Sequence, residues 1–150
     1  ISAACRAGAL VARAEPDKVE ALAAFGLNLG IAFQLVDDAL DFVAEEERLG
    51  KPVGNDLKEG RITYPLIYVL KHGTDKDCRR LQELATRENL SDQDLEEIRG
   101  LVKKYQAVEA TLEIARSYSE QAKTNLRVFP ENPAKHCLEL LANFVMERDR

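Results

Sequence analysis

From Ala21 to Val36 the chain carries no charge, and this run of 16 residues is closed by Asp37 and Asp38. Pro16 suits the first turn of a helix, and the pattern supports one helix from Pro16 to about Ala44. Through its middle that helix is apolar on every side. Such a helix is expected at the centre of a bundle, covered by its neighbours. The run falls short of the roughly 20 apolar residues that cross a bilayer, so no transmembrane segment is expected. Gly26 and Gly30, four residues apart, permit the close approach of a neighbouring helix or of a ligand.

The rest of the chain is also helical in pattern. No stretch alternates convincingly with period two, so the fold class is read as all-α. Ile1–Ala14 is Ala-rich and helical. Glu45–Gly60, broken by Gly50, Pro52, Gly54 and Gly60, reads as a loop. Periodicity returns in Tyr64–Lys71 and about Lys76–Glu88. Ser91 with Asp94 resembles a capping box. Helices are then expected over Asp92–Tyr105 and Val108–Val128. A last one starts at Asn132-Pro133 and runs to about Arg148. No linker divides residues 1–150 into two domains. The first residue is Ile, within a helical pattern, so the chain is expected to continue something longer.

Chemistry concentrates in Gln34-Leu-Val-Asp-Asp-Ala-Leu-Asp-Phe42. At about 100° per residue, Gln34, Asp37, Asp38 and Asp41 fall within an arc of about 100°. Carboxylates converging where water is scarce repel one another, and burying them unpaired costs several kcal/mol each. A cation is expected there. Magnesium fits, because it takes oxygen ligands, one or two of them carboxylates, and completes its shell with water and phosphate oxygens. A di-iron site needs Glu-x-x-His, and neither His72 nor His136 has a Glu three residues before it. The structural alternative is a solvated helix end paired with Lys or Arg.

The following segment carries the opposite sign. Leu49-Gly-Lys-Pro-Val-Gly-Asn-Asp-Leu57 leads into Glu59-Gly-Arg-Ile-Thr-Tyr-Pro65. Glycines let backbone N–H groups approach phosphate oxygens. Lys51, Lys58 and Arg61 place positive charge beside the acids, which makes sense if a metal-bound diphosphate lies between them. A surface loop with casual charges is the plain alternative.

Taken together, these strings closely resemble the trans-isoprenyl (polyprenyl) diphosphate synthase family, in the region of its second aspartate-rich motif. The opening Ser-Ala-Ala-Cys-Arg-Ala-Gly-Ala9 and the ending Leu-Ala-Asn-Phe-Val-Met-Glu-Arg-Asp-Arg150 look similar too, so the resemblance covers essentially the whole chain. It implies an isoprenoid-synthase-like helical bundle of which this is the C-terminal portion. Family members are considerably longer. Their first aspartate-rich motif, the arginine pair after it and a Lys-Thr motif lie upstream of Ile1. Arg61 stands where many members have lysine, which keeps the charge but changes the geometry.

The resemblance also implies an activity: magnesium-dependent condensation of isopentenyl diphosphate with an allylic diphosphate. Asp37, with Asp38 or Asp41 directly or through water, would hold one Mg²⁺. Lys51 and Arg61 would contact the allylic diphosphate, and Gln34 would turn its amide oxygen to the allylic cation. The stripe Ala23, Leu27 and Gly30 would lead a hydrocarbon tail away from the acids, unless it only packs helices. The full-length enzyme is expected to be a homodimer, with the general look of a medium- or long-chain synthase. This chain by itself is expected to be incomplete. Two alternatives stand beside this: a non-catalytic partner subunit of a heteromeric synthase, and a terpene cyclase.

Composition narrows the partners. The net charge is −5 with no Lys/Arg-rich block, which argues against nucleic acid. Cys5, Cys78 and Cys137 are scattered and form no CxxC pair, so reduced thiols in a cytoplasm are expected. With His72 and His136 they are assigned to packing or surface.

Overall fold

The computed structural model describes residues 1–43, 55–87 and 89–148. Their regular structure is helical: α1 Ser2–Val11, α2 Pro16–Val43, α3 Asn55–Lys58, α4 Tyr64–His72, α5 Asp75–Ala85, α6 Asp92–Lys104, α7 Ala107–Asn125 and α8 Pro133–Glu147, with a 3₁₀ turn at Leu126–Val128. Contacts gather into two compact units, residues 1–36 with 113–150, and residues 37–112. Both α2 and α7 run through from one unit into the other.

Helix starts follow the chemistry of single residues. Thr74, Ser91 and Asn132 each accept the backbone N–H three residues on, and Ser91 with Asp94 completes a capping box. Helix ends were harder to see in the sequence. Arg13 and Gln106 take left-handed backbone, φ 53° and 51°, where glycine is usual. Helix α1 therefore ends at Val11 rather than running to Ala14.

In the first unit α1 crosses α2 at Gly26. A Cβ there would lie 2.8 Å from Cys5 Sγ and 2.9 Å from Ser2 Cα. The Ser2 hydroxyl donates to the Ala23 carbonyl nearby. Gly26 is thus a helix-packing glycine. Gly30 differs, since a Cβ there would meet only the Ile1 side chain at an ordinary 3.7 Å. Gly26→Ala is expected to destabilise the fold by about 1–3 kcal/mol through overpacking. Gly30→Ala should cost less than that, and urea unfolding of both variants compares them.

Elsewhere in this unit Asn28 donates to Asn125, Ser119 to the Ala142 carbonyl, and Lys123 to Asn143. The Arg148 guanidinium lies over the Phe33 ring. Phe25, Leu29, Ala32 and Val36 are buried along α2, each large one worth about 1.5–3 kcal/mol. The helix is nevertheless not enclosed on all sides, as its composition led us to expect. Leu27 is 54% exposed. By length and hydropathy α2 meets the requirement for a membrane span, where the uncharged run alone falls short of one, and 44% of its most apolar window is buried.

The second unit has its own core of Leu57, Leu66, Val69, Leu81, Leu84, Leu95, Ile98, Leu101, Val102 and Ala107. Phe42, from the end of α2, packs against it. Helices α4, α5 and α6 pack on one another. Asp77 ties the start of α5 to the end of α6, accepting from Lys104, Tyr105 and Thr74, while the Tyr105 hydroxyl accepts the Thr74 N–H.

The bond from Lys104, then those from Tyr105 and Thr74, hold the Asp77 carboxyl down at about 2, against an ordinary 3.8. A group whose folded pKa is depressed contributes stability above its unfolded pKa and loses it as pH falls through the folded one. That window runs from about 3.8 down to about 2. Asp77→Asn should flatten the acid limb of stability there, measured as the parent-minus-variant difference in urea midpoints. An unchanged slope would show that the tie carries no linkage.

Candidate diphosphate and metal site

The acids lie near the C-terminal end of α2, as the spacing required, and belong to the second unit. Asp38 is only 8% exposed, and Asp37 and Asp41 are half-buried. Asp38 Oδ2 accepts the backbone N–H of Tyr64, the first residue of α4, at 3.2 Å. Asp41 Oδ2 accepts the N–H of Asp56 in α3 at a longer 3.4 Å. The two carboxylates thereby anchor the segment from Asn55 to Tyr64 to α2.

That segment is more ordered than the sequence implied. Glu45–Gly60 was read as loop, but Asn55–Lys58 forms one helical turn. Gly60, at φ +76°, ends it. Its N–H donates to the Leu57 carbonyl, and the Arg61 N–H donates to the Asp56 carbonyl. This is the Schellman pattern, which needs left-handed backbone where Gly60 stands. The turn brings Arg61 back over Asp56. One guanidinium nitrogen, Nη2, contacts the Asp56 and Glu59 carboxylates at 2.6 Å each. Arg61 is therefore joined to Asp41 through Asp56, a residue the sequence reading did not single out. Its signal was an acid two residues after Gly54, in what becomes the first turn of a helix. Lys51 and the side chain of Lys58 lie outside the described residues.

Thr63 stands between Arg61 and Tyr64. Its hydroxyl is buried and has no hydrogen-bond partner among the described residues.

Gln34 is exposed on α2 in the first unit. It lies at an open groove of about 380 Å³ lined almost wholly by apolar side chains, including Ile1, Leu27, Ile31 and Leu35, with Gly26 and Gly30 on its floor. Of the tail stripe read from the sequence, Leu27 and Gly30 line this groove. Ala23 is buried and does not.

The donor set suits magnesium. Every candidate donor on α2 is an oxygen, and the orphaned hydroxyl belongs to Thr63, the residue before the one whose N–H Asp38 accepts. Among the described residues no three His, Cys, Asp or Glu side chains converge to hold an ion by themselves. An ion here would take one or two carboxylates and complete its shell with water and ligand oxygens, the usual mode of Mg²⁺. His72 stacks near Tyr68, and Cys78 donates to the Val69 and Leu70 carbonyls. Cys137 is exposed.

Residues 1–102 match the model of the polyprenyl synthetase family. A short chain isoprenyl diphosphate synthase of Methanothermobacter thermautotrophicus is 36% identical over 99% of this chain and 45% of its own length. A polyprenyl synthase from Caulobacter crescentus, solved with calcium and isoprenyl diphosphate, superposes with TM-score 0.87 at 38% identity, covering 99% of this chain and 45% of that one. A decaprenyl diphosphate synthase from Rhodobacter capsulatus gives TM-score 0.89 at 34% identity, with 99% and 46% covered. The chain thus spans about half the length of the relatives it matches, and its all-helical architecture is the isoprenoid-synthase fold. By sequence and by fold, the chain belongs to the polyprenyl synthetase family.

Proposed function

We propose that the protein carrying this chain is a Mg²⁺-dependent trans-prenyltransferase that condenses isopentenyl diphosphate with an allylic diphosphate to give a polyprenyl diphosphate. The observation that carries the reading is the tie between opposite charges. Carboxylates Asp38 and Asp41 anchor the segment that bears Arg61, so that acids and a guanidinium share one local framework. A ligand carrying both a metal and a diphosphate matches that pairing. The Caulobacter crescentus relative, solved with calcium and isoprenyl diphosphate, supports the same ligand class.

The hard step is departure of diphosphate from a carbocation. Asp37, with Asp38 or Asp41 directly or through water, would hold Mg²⁺, which when bound offsets the negative charge on the leaving group. Arg61 and Lys51 contact the allylic diphosphate and add positive charge where negative charge develops. For Arg61 this means exchanging the Asp56 and Glu59 carboxylates, wholly or in part, for phosphate oxygens. Gln34 presents its amide oxygen to the allylic cation. The apolar groove on α2 accepts hydrocarbon and keeps water from the cation. The double bond of isopentenyl diphosphate then attacks, and a proton is lost to complete the new double bond.

The test is the full-length natural protein with isopentenyl diphosphate, an allylic diphosphate and Mg²⁺, followed by extraction of the lipid product. Chain elongation that is abolished by chelator and restored by Mg²⁺ supports the reading. Turnover only after a second polypeptide is added would favour the partner-subunit alternative. A cyclised hydrocarbon product would favour a terpene cyclase.

A further inference from the structure

Thr63 occupies the N-cap of α4, and its backbone is extended as an N-cap should be, φ −92° and ψ 171°. Threonine is favoured at such positions because its hydroxyl accepts the N–H of the second or third helical residue. Thr74, Ser91 and Asn132 do this in the same chain. Thr63 does not. The local reasons are visible. The second helical residue is Pro65, which has no N–H. The third, Leu66, donates its N–H to the Thr63 carbonyl at 3.1 Å. The first, Tyr64, donates to Asp38. The helix start therefore has no donor left for the hydroxyl.

Nor does the hydroxyl reach water. Thr63 Oγ1 is buried and finds no partner among the described residues. An unsatisfied buried hydroxyl is a cost to the fold that an apolar side chain of the same shape would not incur. Capping does not account for it, and no internal hydrogen bond does. Its surroundings indicate what would. Two residues before it in the chain, Arg61 bridges two carboxylates; one residue after it, the Tyr64 N–H donates to a candidate metal ligand. An oxygen-rich anion with its metal, arriving between those groups, supplies the missing partner.

We infer that the Thr63 hydroxyl is a ligand contact, donating its hydrogen bond to an oxygen of the metal–diphosphate unit: a phosphate oxygen or a water on the metal. This rests on the diphosphate reading of the site proposed above. It assigns to Thr63 a binding role rather than a structural one, and the two roles make opposite demands on stability.

The experiment uses the full-length natural protein with Thr63→Val, which keeps the shape and removes the hydroxyl, and Thr63→Ser, which keeps the hydroxyl. The probe is inorganic pyrophosphate, titrated calorimetrically with and without Mg²⁺, and melting temperatures are taken without ligand. Thr63→Val should bind pyrophosphate in Mg²⁺ about tenfold more weakly, the order expected for one lost bond to a charged group, while its ligand-free melting temperature stays level or rises. Thr63→Ser should bind like the parent. A contact to phosphate oxygen also weakens binding without Mg²⁺; a contact to the metal's water weakens it only with Mg²⁺. Thr63→Val binding within twofold of the parent would overturn the contact alone. So would a ligand-free melting temperature several degrees lower, which would reveal a structural partner. A parent that binds no pyrophosphate in Mg²⁺ would overturn the site reading itself.

Discussion

In the full-length protein, Asp37→Asn is expected to lower kcat/KM for the allylic substrate by about 10²–10³, the loss typical of one electrostatic contact to a developing charge, while melting temperature changes little. Asp38→Ala should also lose activity, but with a second signature. Asp38 is buried and accepts the Tyr64 N–H, so its removal leaves that buried donor unsatisfied at a cost of about 1–3 kcal/mol. The pair separates two duties: Asp38 pins α4 to α2, and Asp37, in the proposed mechanism, would act on the ligand alone. Full activity of Asp37→Asn would remove the metal assignment. Equal melting temperatures of the two variants would remove the pin.

The second large effect concerns the 150-residue chain by itself. Its synthase activity is expected at background. The chain spans about half the length of its relatives, and by family resemblance another aspartate-rich motif and basic residues lie in the part it does not span. Losing half of the groups that hold two diphosphates weakens binding and leaving-group stabilisation together. The same chain leaves large apolar side chains exposed in its first unit: Leu27 on α2 and Leu140, Leu141 and Phe144 along α8. Each is about half exposed, and so withholds roughly half of the 1.5–3 kcal/mol that full burial gives. Light scattering should therefore show self-association. Efficient prenyl transfer by a monodisperse monomer would overturn both arguments.

What was legible in the sequence follows from period and chemistry. The placement of Gln34, Asp37, Asp38 and Asp41 on a single helix follows from 3.6-residue spacing alone. The caps at Ser91 and Asn132 follow from side chains that accept local N–H groups. What was not legible depended on contacts distant in sequence or on backbone that residue type does not signal. Arg13 and Gln106 end helices in left-handed conformation without being glycine. The turn Asn55–Lys58 sits among residues that break helices and is anchored by Asp41, 15 residues earlier. Whether Gly26 or Gly30 takes the close helix crossing depends on where Cys5 and Ser2 arrive, which no local pattern reports. The exposure of Leu27 is likewise a matter of which neighbours are present, and hydropathy cannot count neighbours.

The crossing at Gly26 also makes the protein its own reporter of motion. Cys5 is wedged where α1 meets α2, Cys78 is bonded to carbonyls of α4, and Cys137 stands exposed on α8. A thiol reagent meets these three in order of access. Cys137 reacts at once. Cys5 reacts readily only as α1 lifts from α2, and Cys78 only as the second unit loosens. The labelling rates of Cys5 and Cys78 then measure two separate opening equilibria in the native state, and a pyrophosphate-dependent slowing at Cys78 alone would locate the ligand's grip on the half of the chain that carries the acids.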